Sequence, residues 1–413
     1  MTTAHHSTHC RMKRCVGAFL FLVFIAVPKV FASPKSHQDE MYEQVELLAE
    51  AITVIQSDYV DEIEPKRLVY GAMKGLVESL DRHSQFLDPN AFSEMQVETK
   101  GEFGGVGIEI LISKDGLLTV VSPIDDTPAS ETDIKPNDKI VKIDGQSARG
   151  ISLHEAVKRL RGRPGTKVVL NIFREADNKI FDVTLTRSNI KIRSIKEPKI
   201  IANRIGYIRI TEFQDNTPQD LKKALETLEQ TGMDGLILDL RNNPGGLLDV
   251  AIEVAEMFLP KGKKIVSTRG RVKGQNLEFL SKVDHPLRVY PIVVLVNGGS
   301  ASASEIVAGA LRDHQRGILM GTKTFGKGSV QTVVPLKDGS AIRLTTSTYY
   351  TPSGRSINGE GLDPDVIVED TKETGEKEAK GIPEEMLSHS IRDPVILRAI
   401  DLLRGLKVYK NPE

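Results

Sequence analysis

The sequence predicts an α/β fold, with a small, mostly β domain inserted ahead of the α/β core and a helical region in front of both. Three observations predict it. Between residues 188 and 370, short apolar runs alternate with stretches of helical periodicity, the pattern of a layered, mostly parallel sheet. Between 100 and 187 the pattern changes to short strands separated by turn residues, with one clear helix. Before residue 100, apolar residues recur at helical spacing.

Composition narrows the class. The chain has 413 residues, 39% apolar and 27% charged. These are ordinary globular values that exclude a disordered or collagen-like chain, and the length suggests two or three domains. Basic and acidic residues number 55 and 56, a net charge of −1. There is no basic excess for sequence-independent nucleic-acid binding, so no nucleic-acid partner is expected. Tryptophan is absent, which weakens any base-stacking surface.

At the N-terminus, Arg11, Lys13 and Arg14 precede an apolar run from Cys15 to Val27, and Val30-Phe31-Ala32 follows it. Residues 1–32 therefore read as a secretory signal cleaved after Ala32. The run is short for a membrane span, although an uncleaved N-terminal anchor stays open. The expected location is the bacterial periplasm, with a thylakoid lumen or a Gram-positive surface as alternatives. Both cysteines, Cys10 and Cys15, fall in the signal. The mature chain would have no disulfide, no thiol nucleophile and no Cys-ligated metal.

Residues 33–99 are expected to be helical. Val45, Leu48, Ala49, Ile52 and Ile55 form one stripe; Leu68, Val69, Ala72, Met73, Leu76 and Leu80 form a second after Pro65. Residues 100–187 open with Gly101, Gly104, Gly105 and Gly107 before Ile108. Strand-like runs follow at 108–111, 117–121, 138–145, 168–172 and 181–185. A helix starts at Ser152 with Glu155 as a capping box and an apolar face of Leu153, Ala156, Val157 and Leu160. In the core, 188–370, strands are expected at 205–210, 236–240, 265–268, 292–296 and 317–320, helices at 218–230, 247–258 and 303–313, and a further strand at 341–350. Residues 371–413 read as a charged linker, Lys372 to Lys380, and a helix carrying Ile391, Val395, Ile396, Ala399, Leu402 and Leu403. That helix docks on the core or on another copy of the chain.

Candidate chemistry lies at three junctions of the core. Asn297-Gly298-Gly299-Ser300-Ala301-Ser302-Ala303-Ser304-Glu305 runs from a strand into a helix, where the helix N-terminus favours negative charge. Alone, the motif is equally a capping box of Ser302 with Glu305. Thr324-Phe325-Gly326-Lys327-Gly328-Ser329-Val330-Gln331 sets a lysine among glycines before a strand. Gly328 after Lys327, in place of Ser or Thr, excludes a phosphate-binding P-loop. Asp239-Leu240-Arg241-Asn242-Asn243-Pro244-Gly245-Gly246 ends another strand in a glycine turn. A histidine triad drawn from His285, His314 and Asp313 is disfavoured, because His314 would lie about 18 Å up the helix from Ser302. No His-Glu pair stands at metal-binding spacing, so neither a metal nor another cofactor is expected.

Gly105-Val106-Gly107-Ile108, the later Asp138-Lys139-Ile140-Val141-Lys142-Ile143-Asp144-Gly145 and the helix from Ser152 make residues 100–187 resemble a PDZ domain. The resemblance implies that backbone N–H groups of the glycine loop take a peptide's terminal carboxylate and that the next strand adds the peptide as an extra strand. Over nearly the whole mature chain, the three core junctions and the closing Gly359-Glu360-Gly361-Leu362-Asp363-Pro364-Asp365-Val366 resemble the C-terminal processing peptidases, or tail-specific proteases. Their core is similar to the crotonase and caseinolytic-protease fold. Lys327 stands 25 residues after Ser302, and Gln331 four after Lys327, both matching the family's spacing.

The resemblance implies Ser302 as nucleophile, Lys327 as general base and Gln331 as the partner orienting the lysine. It implies an oxyanion hole from the N–H groups of Ala303 and of Gly245 or Gly246. A lysine acts as a base only when neutral, so its ordinary pKa near 10.4 must fall by roughly 3 units to work near pH 7. Burial supplies such shifts, and a neutral Gln331 does not raise the value again as a carboxylate would. The implied function is an exported serine endopeptidase for proteins or peptides with apolar C-termini, processing or degrading cell-envelope proteins. An adaptor protein and a homo-oligomer stay open. The alternatives are a catalytically inactive PDZ scaffold and, by fold analogy alone, an acyl-transfer enzyme acting on thioesters.

Overall fold

The computed structural model describes residues 37–410 apart from 114, 203, 285, 286 and 370–392. The expected signal at 1–32, the charged linker at 372–380, His285 and Ile391 lie outside the described residues. The chain divides into two compact units, Met1–Val69 and Tyr70–Glu413. The first carries the helix His37–Asp58, whose stripe residues Val45, Leu48 and Ile55 remain exposed. The helix Pro65–Glu78 spans the boundary in sequence; it buries Val77 and exposes Leu76.

The second unit is built on a six-stranded sheet in the order Ile195–Ile201, Ile205–Ile210, Gly235–Asp239, Ile292–Val296, Ile318–Gly321, Val366–Ile367. The first pair is antiparallel and the rest are parallel. Helices cover both faces, which is why the central strands read as unbroken apolar runs. Ile292, Val294 and Val296 pack in one cluster with the helices Thr217–Gln230, Leu248–Glu256 and Ala303–Asp313. Val293 and Leu295 face the other way, against Val395, Ile396, Ala399 and Leu403 of the helix Pro394–Lys410. The C-terminal helix thus docks on its own core.

One strand expected in this sheet belongs elsewhere. Residues 265–268 lie in Lys264–Gly270, which pairs antiparallel with Leu277–Leu280 and with the long strand Ala341–Tyr350. A parallel neighbour needs a long crossover, and only a single 3₁₀ turn, Lys273–Gln275, separates these two strands. Ser329–Pro335 runs along one edge of Ala341–Tyr350, while Gln85–Leu87 and Lys264–Gly270 share the other.

The inserted domain has its own sheet, ordered Ile108–Ile112, Leu118–Pro123, Lys139–Ile143, Lys167–Arg174, Lys179–Thr186 and antiparallel throughout. Its core gathers Leu118, Ile140 and Ile172 with Ala156 and Leu160 of the helix Leu153–Leu160. The capping box expected there is half made. Ser152 Oγ accepts the Glu155 N–H at 3.2 Å, but the Glu155 carboxylate pairs with Arg159 Nε at 2.9 Å instead of turning back. Leu153, expected on the apolar face, is exposed. The chain enters and leaves through the paired strands Glu102–Gly105 and Ser188–Lys191, and Ile192 N–H donates to Gly101 O at 2.7 Å.

Candidate active site

Ser302 stands where the buried strand Ile292–Val296 turns into the helix Ala303–Asp313. Its φ is +55°, in the left-handed region, a strain of about 1–3 kcal/mol that the surrounding turn must hold. Three bonds hold it. Ser300 Oγ donates to Leu240 O at 2.8 Å, Ser304 Oγ donates to Asn243 O at 2.9 Å, and Ala301 N–H donates to Asn243 O at 3.0 Å. Ser300 and Ser304 are fully buried in these duties. Ser302 differs from both. Its Oγ makes no cap hydrogen bond, and the Glu305 N–H is taken instead by the Ser302 carbonyl at 2.9 Å. The hydroxyl is therefore not consumed as an N-cap.

Glu305 is the hinge of the site. It is fully buried, and its carboxylate accepts four hydrogen bonds. Oε2 takes the N–H of Ser302 at 2.9 Å and of Lys327 at 3.0 Å. Oε1 takes Thr324 Oγ1 at 2.5 Å and the Gly326 N–H at 2.8 Å. Burial pushes this carboxyl up while the four donors pull it down, and burial prevails. One side chain thus ties the serine turn to the lysine loop.

Lys327, Gln331, Ser302, Ala303 and Gly246 line a single cleft of about 270 Å³. Burial pushes the Lys327 ammonium down, and the nearby Arg343 guanidinium pushes the same way. No hydrogen bond or ion pair reaches Lys327 Nζ among the described residues. Gln331 is in the cleft but not on the lysine. Its Nε2 donates to Ser329 Oγ at 2.8 Å and Ser329 O at 3.2 Å. Of the two glycines left open by the sequence, Gly245 uses its N–H on Asn243 Oδ1 at 2.9 Å and packs so tightly that a Cβ would stand 2.8 Å from Ser302 Cβ.

Sequence reasoning missed Tyr349. It is buried, it lines the cleft with Ser302, and its hydroxyl donates to the Lys327 carbonyl. Burial raises its pKa well above the ordinary value, so it stays a donor. Its only sequence signal is its place in the alternating strand 341–350. Sequence reasoning also missed the loop at Asp81-Arg82-His83-Ser84. There Asp81 accepts from Ser84 Oγ at 2.8 Å and Thr345 Oγ1 at 3.2 Å. Burial, then Lys327, pushes the His83 imidazole down. His314 is remote from these groups, with Nε2 bonded to Lys264 O at 2.6 Å.

The inserted domain carries a second candidate site. Gly107 has φ +77° and packs where any Cβ would strike Thr127. The carbonyls of Val106 and Gly107 are tied down by the N–H groups of Ala129 and Ile124 at 2.9 and 2.8 Å. Gly105 ends the entry strand, Val106 is buried, and Ile108 begins an edge strand.

Comparison with known proteins finds relatives along most of the chain. Residues 104–185 match the PDZ domain family, residues 204–368 match peptidase family S41, and residues 26–91 match the activating protease CtpB N-terminal domain. A carboxy-terminal-processing protease of Bartonella bacilliformis is 43% identical over 86% of this chain and 81% of that protein. The carboxy-terminal processing protease CtpA of Bacillus subtilis is 38% identical over 78% of this chain and 68% of that one. Among solved structures, a photosystem II D1 C-terminal processing protease shares 30% identity, covering 78% of this chain and 92% of that one at a TM-score of 0.44. The family models cover the inserted domain, the serine turn and the lysine loop, and on them and the two sequence relatives the chain belongs to peptidase family S41, as a serine protease of the carboxy-terminal processing group with a PDZ domain inserted in its sequence.

Proposed function

We propose that the chain is an exported endopeptidase that takes proteins by their C-terminal tails and cleaves them through an acyl-enzyme on Ser302, trimming or degrading cell-envelope proteins. One observation carries this reading. A serine hydroxyl not spent on helix capping shares a cleft with a lysine whose pKa burial lowers and that no carboxylate among the described residues pairs with.

Neutral Lys327 takes the proton from Ser302 Oγ as the oxygen attacks the scissile carbonyl. The resulting oxyanion takes N–H groups of Ala303 and Gly246, since Gly245 has committed its own to Asn243. Lys327 then gives its proton to the leaving amine. A water repeats the attack on the ester, again losing its proton to Lys327, which returns it to Ser302 Oγ as the ester bond breaks and the acid is released. Gln331 Oε1, which accepts no hydrogen bond in the described residues, is the group available to receive a lysine N–H. In the PDZ domain, the Gly105–Ile108 loop and the edge strand take an apolar tail by strand addition. Export rests on the signal pattern at residues 1–32 and is checked by sequencing the N-terminus of the mature protein, expected at Ser33.

The test is cleavage of an unstructured protein with an apolar C-terminus by the native chain, Ser302→Ala and Lys327→Ala, followed by mass spectrometry. The reading expects cleavage by the native chain alone. Cleavage that survives Lys327→Ala removes the lysine as base. A native chain that neither cleaves nor reacts with a serine-directed covalent probe sinks the enzyme reading.

A further inference from the structure

The catalytic cleft is lined by a cationic group that the mechanism does not use. Arg343 lines it beside Ser302 and Lys327. In the paired register Arg343 stands opposite Val333 on one side and opposite Gln85 on the other, with Gln331 opposite Thr345 two residues along. Residues opposite one another in an antiparallel pair project to the same face. Arg343 therefore shares the face of Gln331 and Val333, which also line the cleft.

Its hydrogen bonding is incomplete. Nη2 donates to the neutral Gln85 Oε1 at 3.0 Å, whereas Nε is buried without any partner. Among the described residues no carboxylate pairs with it. A guanidinium cannot shed its charge, and a buried donor left unmatched is costly. The neighbours make this worse, because Lys327 and His83 both feel the Arg343 charge as a repulsion. An acceptor with negative charge is the missing complement, and a carboxylate fits the planar fork of an arginine. Other residues of the lining have the opposite character. Glu98 and Glu212 line the cleft with Gln214, whose Oε1 is a buried acceptor without a partner. Burial and the like charge of Glu98 push the Glu212 carboxyl up, against the hydrogen bond from Gln214 Nε2. A carboxylate entering the cleft is repelled by those two carboxylates and drawn to Arg343.

We propose that Arg343 is a specificity-determining residue that binds a carboxylate of the peptide in the cleft, either an Asp or Glu side chain near the scissile bond or the terminal carboxylate of a short tail. This rests on the peptidase reading above. It makes the cleft itself selective, in addition to the PDZ domain. It also predicts that an apolar tail alone is not the best substrate.

The test is a panel of matched peptides cut at one bond. One set carries Glu or Gln at each position flanking that bond, with the C-terminus far away. The other has a short tail ending in a free acid or an amide. Ratios of kcat/KM within each pair are measured at a pH where the rate no longer changes. The native chain is expected to favour the carboxylate member by about tenfold, the size of one charge-assisted hydrogen bond. The set in which the preference appears names the source. Arg343→Lys should keep part of the preference, Arg343→Gln should abolish it, and Arg343→Glu should turn it toward a Lys-bearing peptide. Peptidyl covalent probes with the same Glu/Gln pairs read the preference as Ser302 labelling rates, independently of turnover. Cleavage or labelling by the native chain without charge preference overturns this inference alone. Neither cleavage nor labelling overturns the peptidase reading and this inference with it. The native panel decides even where a variant fails to fold.

Discussion

Glu305 meets four donors and no acceptor. Replacing it with glutamine keeps the shape but turns one oxygen into an NH₂ that faces N–H or O–H groups whichever way the amide is set. Two hydrogen bonds are lost, and buried donors are left unmatched, at about 1–3 kcal/mol each. Because those donors include the N–H of Ser302 and of Lys327, Glu305→Gln is expected to lower kcat far more than it raises KM and to reduce the melting temperature. An enzyme with unchanged kcat would show that the two loops keep their places without it. The pH dependence follows from Lys327. The charged lysine is inactive as a base, so kcat/KM should rise with pH through its lowered pKa and then level off. Arg343 is one cause of that lowering, so Arg343→Gln should move the rising limb to higher pH. A limb that stays in place, or moves to lower pH, would detach the base from Arg343. As candidates, Ser302 and the glycine turn stand out because they sit at strand-to-helix junctions marked by small residues, and Lys327 because it sits in a glycine loop between two strands. Tyr349 and Arg343 do not, because they lie inside an ordinary strand and reach the site only through tertiary packing.

The helix Pro394–Lys410 closes one face of the parallel sheet. Leu403 is fully buried there among Ile237, Val293 and Leu295, whereas Val408 is exposed. The helix also reaches toward the site. Asp393 accepts the Val395 N–H at 2.9 Å at its start and pairs with Arg241 at 2.7 Å, and Arg241 directly precedes the Asn242-to-Gly246 turn. Leu403→Ala should cost about 2–5 kcal/mol by cavity formation, and Val408→Ala should stay within about 0.5 kcal/mol, as read by urea unfolding. Equal effects at the two positions would mean the helix does not hold the sheet. The apolar stripe foretold this helix but could not choose between its own core and another chain, since both bury the same residues. Elements with two buried faces were read almost to the residue, as at Ile292–Val296 and Ala303–Asp313. Gln85–Leu87, Ile195–Ile201 and Leu277–Leu280 were missed. They are short or partly exposed, and pairing with distant strands rather than local pattern makes them strands.

At the scale of the molecule, the insertion was legible because glycines cluster where it begins. The structure adds that its two ends meet. Gly104 pairs with Asn189, Phe103 with Ile190 and Glu102 with Lys191. The PDZ strands form a sheet separate from both core sheets and surround a hydrophobic cluster of their own. A domain joined in this way can be removed by closing the ribbon into a hairpin. Replacing residues 105–188 with Asn-Gly, which suits a two-residue hairpin turn, keeps the Gly104–Asn189 register. The shortened chain should unfold in one cooperative transition, because neither core sheet loses a strand. It should still hydrolyse short peptides, because every residue lining the Ser302 cleft lies outside the excised segment. The proposed tail capture should disappear. For a long unstructured substrate whose end lies far from the cut, the native chain should prefer a free C-terminal carboxylate to an amide, and the shortened chain should cut both alike. A shortened chain that keeps the preference would move tail recognition out of the Gly105–Ile108 loop and into the core. A shortened chain that folds but cuts no peptide would make the PDZ domain a structural part of the catalytic cleft rather than a reader of tails.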